Sequence, residues 1–143
     1  MLSQSCIYGI QTCIYLSLPQ QLGKKVRVSS IAESLGISPT FLSKIVFTLV
    51  QGGVLCSTRG ANGGVWLAKE LSEIQTLDII KVIDGPKLFK DCLLGFSGCN
   101  DKKPCPFHQQ WGQERIRLMA MFQESTLDKI AQKVNDLDLR IQM

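Results

Sequence analysis

Apolar residues recur at helical spacing near the start of the chain, where Leu2, Cys6, Ile10, Cys13 and Leu16 share one side and predict a helix over residues 3–18, ended by Pro19. Gln20 to Arg27 is a polar connection. Ser30-Ile31-Ala32-Glu33 has the form of a capping box, and predicts a short helix from Ser30 that closes at Leu35-Gly36. Ser38-Pro39 predicts another, with Ser38 as N-cap and Pro39 in the first turn. Its inner face is Leu42, Ile45, Val46 and Leu49, and it stops at Gly52-Gly53. Two short helices joined by a tight turn have the form of a helix-turn-helix or of a plain helical hairpin.

The pattern then changes period. Residues 54–58 and 65–68 read as two strands around the turn-rich Arg59-Gly60-Ala61-Asn62-Gly63-Gly64. A glycine-rich hairpin directly after a helix-turn-helix predicts a winged helix, mainly α with a small β-wing. Thr76-Leu77-Asp78 predicts a cap for a helix reaching Ile83, with Leu77, Ile80 and Ile83 inward, and Asp84-Gly85-Pro86 breaks it. Residues 86–105 show little periodicity. A long amphipathic helix follows over about 106–123, with Trp111, Arg115, Leu118, Met119 and Phe122 on or near one face. Ser125 to Asp128 restarts a helix through Val134, and residues 135–143 extend it or fray. The expected organisation is a winged-helix domain over 1–84, a cysteine-rich loop over 85–108, and a helical remainder over 109–143.

Charge sharpens the picture. The net charge is only +4. However, residues 1–69 hold six basic residues and one acid, Glu33, whereas residues 70–143 hold ten basic and eleven acidic ones. A basic helix-turn-helix half beside a near-neutral remainder points to nucleic acid. The candidate DNA-contacting set is Ser29, Ser38, Thr40, Ser43 and Lys44 on the helices, with Arg59, Gly60, Asn62 and Gly63 in the wing. The wing glycines allow close approach to a sugar-phosphate wall. Arg59 suits a phosphate or the minor groove. No apolar run is long enough to span a bilayer, and the start lacks a basic region and cleavage site, so a cytoplasmic location is expected. Outside the cysteine loop there is no nucleophile–base pairing and no phosphate-binding glycine motif, which argues against an enzyme or a small-molecule substrate.

Six cysteines in such a chain do not suggest a disulfide framework. Cys6, Cys13 and Cys56 lie singly among apolar residues and are expected to be buried. The other three form C-x6-C-x5-C-x2-H, ending at His108, the chain's one histidine. Cys92, Cys99, Cys105 and His108 can supply four soft or borderline ligands. The spacing is not the paired CxxC of a zinc ribbon and suits a larger core such as 2Fe–2S, in which histidine can replace cysteine. A zinc site of the same ligands and a metal-free set of reactive thiols remain open.

The winged helix, the Arg59-Gly60-x-x-Gly63-Gly64 wing, the three-cysteine loop and the helix opening near His108-Gln109-Gln110-Trp111 together resemble the IscR-, NsrR- and RirA-type bacterial regulators. The resemblance covers nearly the whole chain. Cys105-Pro106-Phe107-His108 looks like the IscR arrangement. It implies a 2Fe–2S cluster, which a purified sample need not retain, controlling binding to double-stranded DNA by a homodimer joined through the long helix. Two departures stand out. Ile7 and Tyr8 occupy positions where NsrR-type members carry an acidic ligand. Ser43 stands where IscR has a glutamate, so the IscR operator is not carried over.

Overall fold

The structure is a computed structural model, and it describes residues 1–136. Its first three helices are α1 (Gln4–Ser17), α2 (Val28–Leu35) and α3 (Pro39–Gln51). Strands β1 (Leu55–Thr58) and β2 (Gly64–Leu67) follow, then a single 3-10 turn (Leu71–Glu73). The remaining helices are α4 (Thr76–Ile83), α5 (Lys87–Lys90), α6 (His108–Glu124) and α7 (Leu127–Asp136). The part of the expected C-terminal extension beyond residue 136 lies outside the described residues.

The helical periodicity of the first half becomes one core. Cys13 and Leu16 of α1, Ile31, Ala32 and Leu35 of α2, and Leu42, Ile45, Val46 and Leu49 of α3 are all buried together. Ser3 caps α1 by accepting from the Cys6 amide at 3.0 Å, and its own amide donates to Asp84 Oδ2 at 2.8 Å. The start of α1 is thereby tied to the end of α4. A side chain at Gly9 would strike Ile83, so α1 and α4 are in direct contact there.

Two expected caps are displaced. Helix α2 begins at Val28, with Arg27 as N-cap and no side-chain cap, so Ser30 and Glu33 form no capping box. The cause is a strand pairing that the local pattern does not display. Val26 pairs with Val65, exchanging bonds of 3.0 and 2.8 Å, and the chain turns from that bridge straight into the helix. Helix α4 is capped by Gln75 rather than Thr76; the Asp78 carboxylate accepts from the Gln75 amide at 2.9 Å. Thr76 instead donates its hydroxyl to Ser125 O at 2.8 Å, which docks the start of α7.

The strands pair antiparallel, Leu55 opposite Leu67 and Thr58 opposite Gly64. At Gly64 a β-carbon would lie 2.9 Å from the Val26 backbone, so only glycine allows the bridge to close. Cys6 and Cys13 are fully buried, as expected, but Cys56 is half-buried on β1. A second, smaller core of Cys6, Leu77, Ile80 and Phe89 supports α6 through Leu118, Met119 and Phe122. Helix α6 starts at His108, two residues later than expected, and the stretch before it contains the short helix α5. No helix among the described residues is long and apolar enough to cross a membrane.

Candidate functional site

Two places carry chemistry. The first is the face made by α3 and the wing. Ser29 lies exposed in the first turn of α2, and Thr40, Ser43 and Lys44 lie exposed on α3. Arg59, Gly60 and Asn62 are exposed in the wing, and Gly63 is half-buried, with the Thr58 carbonyl packed where a side chain would stand. A groove of about 710 Å³ between α3 and the wing brings Ser29, Ser43, Arg59, Gly60 and Gly63 together. Ser38, Thr40, Lys44 and Asn62 lie outside it. Several hydroxyls are already committed to the helix itself. Ser38 accepts from the Phe41 amide at 3.1 Å, and Ser43 donates to Pro39 O at 2.7 Å.

Two basic residues absent from the expected set shape the wing. Arg27 donates to Ala61 O at 2.6 Å and so holds the wing tip. Lys25 lies over the Trp66 ring, 5.2 Å from its centroid. Both were counted in the basic half, but their local sequence has no pattern that assigns them to the hairpin.

The second place is the loop between α5 and α6. It is a succession of tight turns. The Gly95 amide donates to Cys92 O at 3.0 Å, the Cys99 amide to Phe96 O at 3.4 Å, and the His108 amide to Cys105 O at 3.0 Å. Gly95 and Gly98 have φ of 71° and 81°, which lets the chain reverse between Cys92 and Cys99. The Asn100 side chain accepts from the Lys102 and Lys103 amides at 2.8 and 3.0 Å and fixes the next turn.

These turns bring the three sulfurs together, all within 4.8 Å of one another. Cys92 Sγ is 3.5 Å from Cys105 Sγ, and the Cys105 amide donates to Cys99 Sγ at 3.4 Å. His108 Nδ1 faces Cys99 Sγ at 3.2 Å, and its Nε2 is 2.9 Å from Asp101 Oδ1. With Nε2 protonated toward the carboxylate, the Nδ1 lone pair is left facing the thiols, an arrangement common behind metal-binding histidines. The three expected thiol ligands therefore meet, and the fourth expected ligand, His108, touches one of them, Cys99. Asp101 was not anticipated, because a lone acid in a loop carries no spacing signal.

A small cavity of about 40 Å³ lies among the thiols and His108, walled by Lys90, Trp111 and Arg115. Trp111 Nε1 donates to Asp91 O at 3.0 Å, and Arg115 Nη1 to Lys90 O at 2.5 Å. These two α6 side chains pin the start of the loop. Burial raises the Cys92 thiol, but the Phe96 and Leu94 amides and the thiols of Cys105 and Cys99 outweigh it, and it falls to about 7. Burial pushes the Cys105 thiol up, and its two neighbouring cysteines add to the rise against the Phe107 amide. A thiol that ionises near neutrality suits either metal ligation or oxidation.

The donor set fits a metal centre. Sulfurs this close match the roughly 3.8 Å separations around one tetrahedral ion. A two-iron core needs some of them wider apart.

Comparison with known proteins gives the family and the fold. The family model Rrf2, described as an iron-dependent transcriptional regulator, matches residues 2–133. A protein of Aquifex aeolicus assigned as an HTH-type transcriptional regulator is 30% identical over 127 residues, 87% of each chain. IscR of Escherichia coli is 27% identical over 132 residues, covering 92% of this chain and 80% of its own. Among solved structures, CymR, the global cysteine regulator of B. subtilis, superposes with a TM-score of 0.77 at 25% identity, covering 93% of this chain and 97% of its own. IscR of T. potens superposes with a TM-score of 0.74 at 26% identity, covering 97% and 91%. The winged-helix architecture is shared with both.

Proposed function

Because the chain belongs to the Rrf2 family of transcriptional regulators, we propose that it binds double-stranded DNA as a homodimer and that an iron–sulfur cluster, 2Fe–2S by the IscR-like pattern, sets its operator affinity. One observation carries this reading. The three thiols converge within 4.8 Å of one another, and His108, at the start of α6, stands against one of them, Cys99. Cys92, Cys99 and Cys105 would hold the cluster and His108 would complete it, and the bound group would supply a redox- and iron-sensitive charge.

Helix α6 supports the dimer. It is 17 residues long, none of them buried, and Ile116 and Met121 are 72% and 50% exposed on it. A groove of about 910 Å³ runs along the same helix. A second copy would cover these apolar side chains and place two recognition helices on half-sites of one operator. Cys92, Cys99 and Cys105 lie in the loop between α5 and α6, and His108 lies in the first turn of α6. Loading or emptying the site would therefore shift the helix that sets the distance between the two DNA-reading faces.

On that face, Thr40, Ser43 and Lys44 would meet base edges, with Ser38 and Ser29 at helix starts near phosphates. Arg59, Gly60, Asn62 and Gly63 would approach the minor groove or backbone. The protein would act in the cytoplasm, with no chemical substrate.

A second reading has its own support. Cys92 and Cys105 are 3.5 Å apart with one thiol ionising near 7, so a metal-free pair oxidising to a disulfide is chemically direct. Anaerobic purification, followed by a visible spectrum, iron and zinc analysis and DNA binding under reduction and oxidation, separates the two. Colour and iron that track DNA affinity support the cluster. A colourless, iron-free protein with redox-dependent binding supports the thiol pair. Equal binding under all conditions removes both.

A further inference from the structure

The exposed stripe of α3 is Thr40, Ser43, Lys44, Phe47 and Gln51, spaced as one helical face. Phe47 is the anomaly on it: an aromatic side chain 64% exposed. It lines the groove between α3 and the wing, beside Ser43 and Arg59. No exposed phenylalanine occurs elsewhere among the described residues of the first 84. Burial in the protein's own core does not account for it, because that core is filled by Leu42, Ile45, Val46 and Leu49 on the other side of the helix.

The hydroxyls next to Phe47 are engaged with the helix backbone, while Thr40, Lys44 and Gln51 flank it on the same face. Ser43 has donated its hydroxyl hydrogen to Pro39 O, and Thr48, the next hydroxyl along, has donated to Lys44 O at 3.1 Å. Lys44 is the helix's one charged residue. Apolar contact at Phe47 adds to what those polar side chains can read, and in the major groove the one apolar group a base pair presents is the thymine C5-methyl.

We infer that Phe47 is a specificity-determining residue that packs its ring on a thymine methyl in each operator half-site, next to the wall contacted by Arg59. The inference rests on the DNA-binding reading above. It requires thymine at one position per half-site.

The test begins with the anaerobically purified full chain and a randomised duplex pool. Once a site has been enriched, each of its thymines is replaced in turn by uracil. Uracil lacks the methyl and keeps every hydrogen-bonding group. Binding is then measured for wild type, Phe47→Ala and Phe47→Leu. Loss of one buried methyl contact weakens wild type by about fourfold at one thymine per half-site. Phe47→Ala binds more weakly and no longer distinguishes thymine from uracil there, and Phe47→Leu retains part of the distinction. The ring is exposed, so both variants should fold, and unchanged circular dichroism melting checks this. Wild type indifferent to uracil at every thymine overturns the inference. So does a Phe47→Ala protein that weakens on all sequences alike while keeping the uracil effect, which would put the ring on the sugar-phosphate backbone. A pool that never enriches removes the DNA-binding reading itself, and this inference with it.

Discussion

The winged-helix half and the cysteine loop treat the same residue type in opposite ways. Cys6 and Cys13 are fully buried in α1. Burial pushes the Cys13 thiol up to about 12, and burial together with the Asp84 carboxylate does the same to Cys6. Cys92 lies in a loop whose turns aim amide hydrogens at its sulfur, and it falls to about 7. The contrast shows that a cysteine's chemistry here is set by burial on one side and by nearby amides and thiols on the other. In α1 burial disfavours the thiolate, so these thiols stay neutral and fill space. In a run of tight turns, amides are left over to support a thiolate. The two regions also differ in how they are held. The first has a continuous core, whereas the second is held by side chains of α6 and by its own turns.

The widest gap to test is reactivity. In the reduced, metal-free protein at pH 7, the thiolate available at Cys92 exceeds that at Cys13 by roughly four to five orders of magnitude, given values of about 7 and about 12. Brief alkylation read by mass spectrometry should label Cys92 and leave Cys6 and Cys13 untouched until the protein unfolds. The sign with pH follows from the lowered value. Dropping from pH 8 to pH 6 protonates Cys92 and slows its labelling by about tenfold. Equal labelling of loop and helix cysteines would erase the distinction.

The next gap is in stability. Leu42 is fully buried in the first core, so Leu42→Ala should cost about 2–5 kcal/mol in denaturant unfolding. Cys99→Ser, in the loop, should leave the metal-free protein within about 0.5 kcal/mol of wild type while removing any bound metal. A loop substitution as costly as the core one would mean that the two regions fold as one.

How far the sequence exposes each region follows the same divide. The inner faces of α1 and α3 and the group of three thiols with His108 are legible because each repeats or clusters within a short window. The α2 start was misplaced because Val26 pairs with Val65, thirty-nine residues away, and no local signal overrides the attractive Ser30–Glu33 pattern. Thr76 was misread for a similar reason, since its hydroxyl serves Ser125. Asp101 and Arg27 gain their significance only from what stands opposite them in space.

A smaller effect probes the wing. Arg59 is exposed at the rim of the groove. Arg59→Ala should weaken binding to most DNA sequences by about tenfold and reduce the salt slope by about one. Fluorescence anisotropy over a range of salt measures both. An unchanged slope would move the wing off the DNA and leave α3 to read alone.

The smallest effect addresses the seam between the two regions. Arg115 donates to Lys90 O at 2.5 Å and reaches Asp91 O at 3.4 Å, while its buried Nε has no hydrogen-bond partner. Replacing it removes a charge-assisted bond and also removes an unsatisfied donor, and these two changes oppose each other. Arg115→Met keeps most of the side-chain volume and should therefore change global stability by under about 1 kcal/mol. Its local effect should be larger. The Asp91 amide, bonded to Lys87 O at 2.9 Å at the end of α5, loses the clamp on its own carbonyl and that of Lys90, retaining only Trp111. Hydrogen exchange at Asp91 should quicken severalfold while amides of α3 exchange as before. That result would place the seam in the loop, free to open without disturbing the DNA-reading face. If exchange in α3 quickened equally, the guanidinium would belong to the first core, and a switch at the cysteines would have to work by loosening the whole molecule.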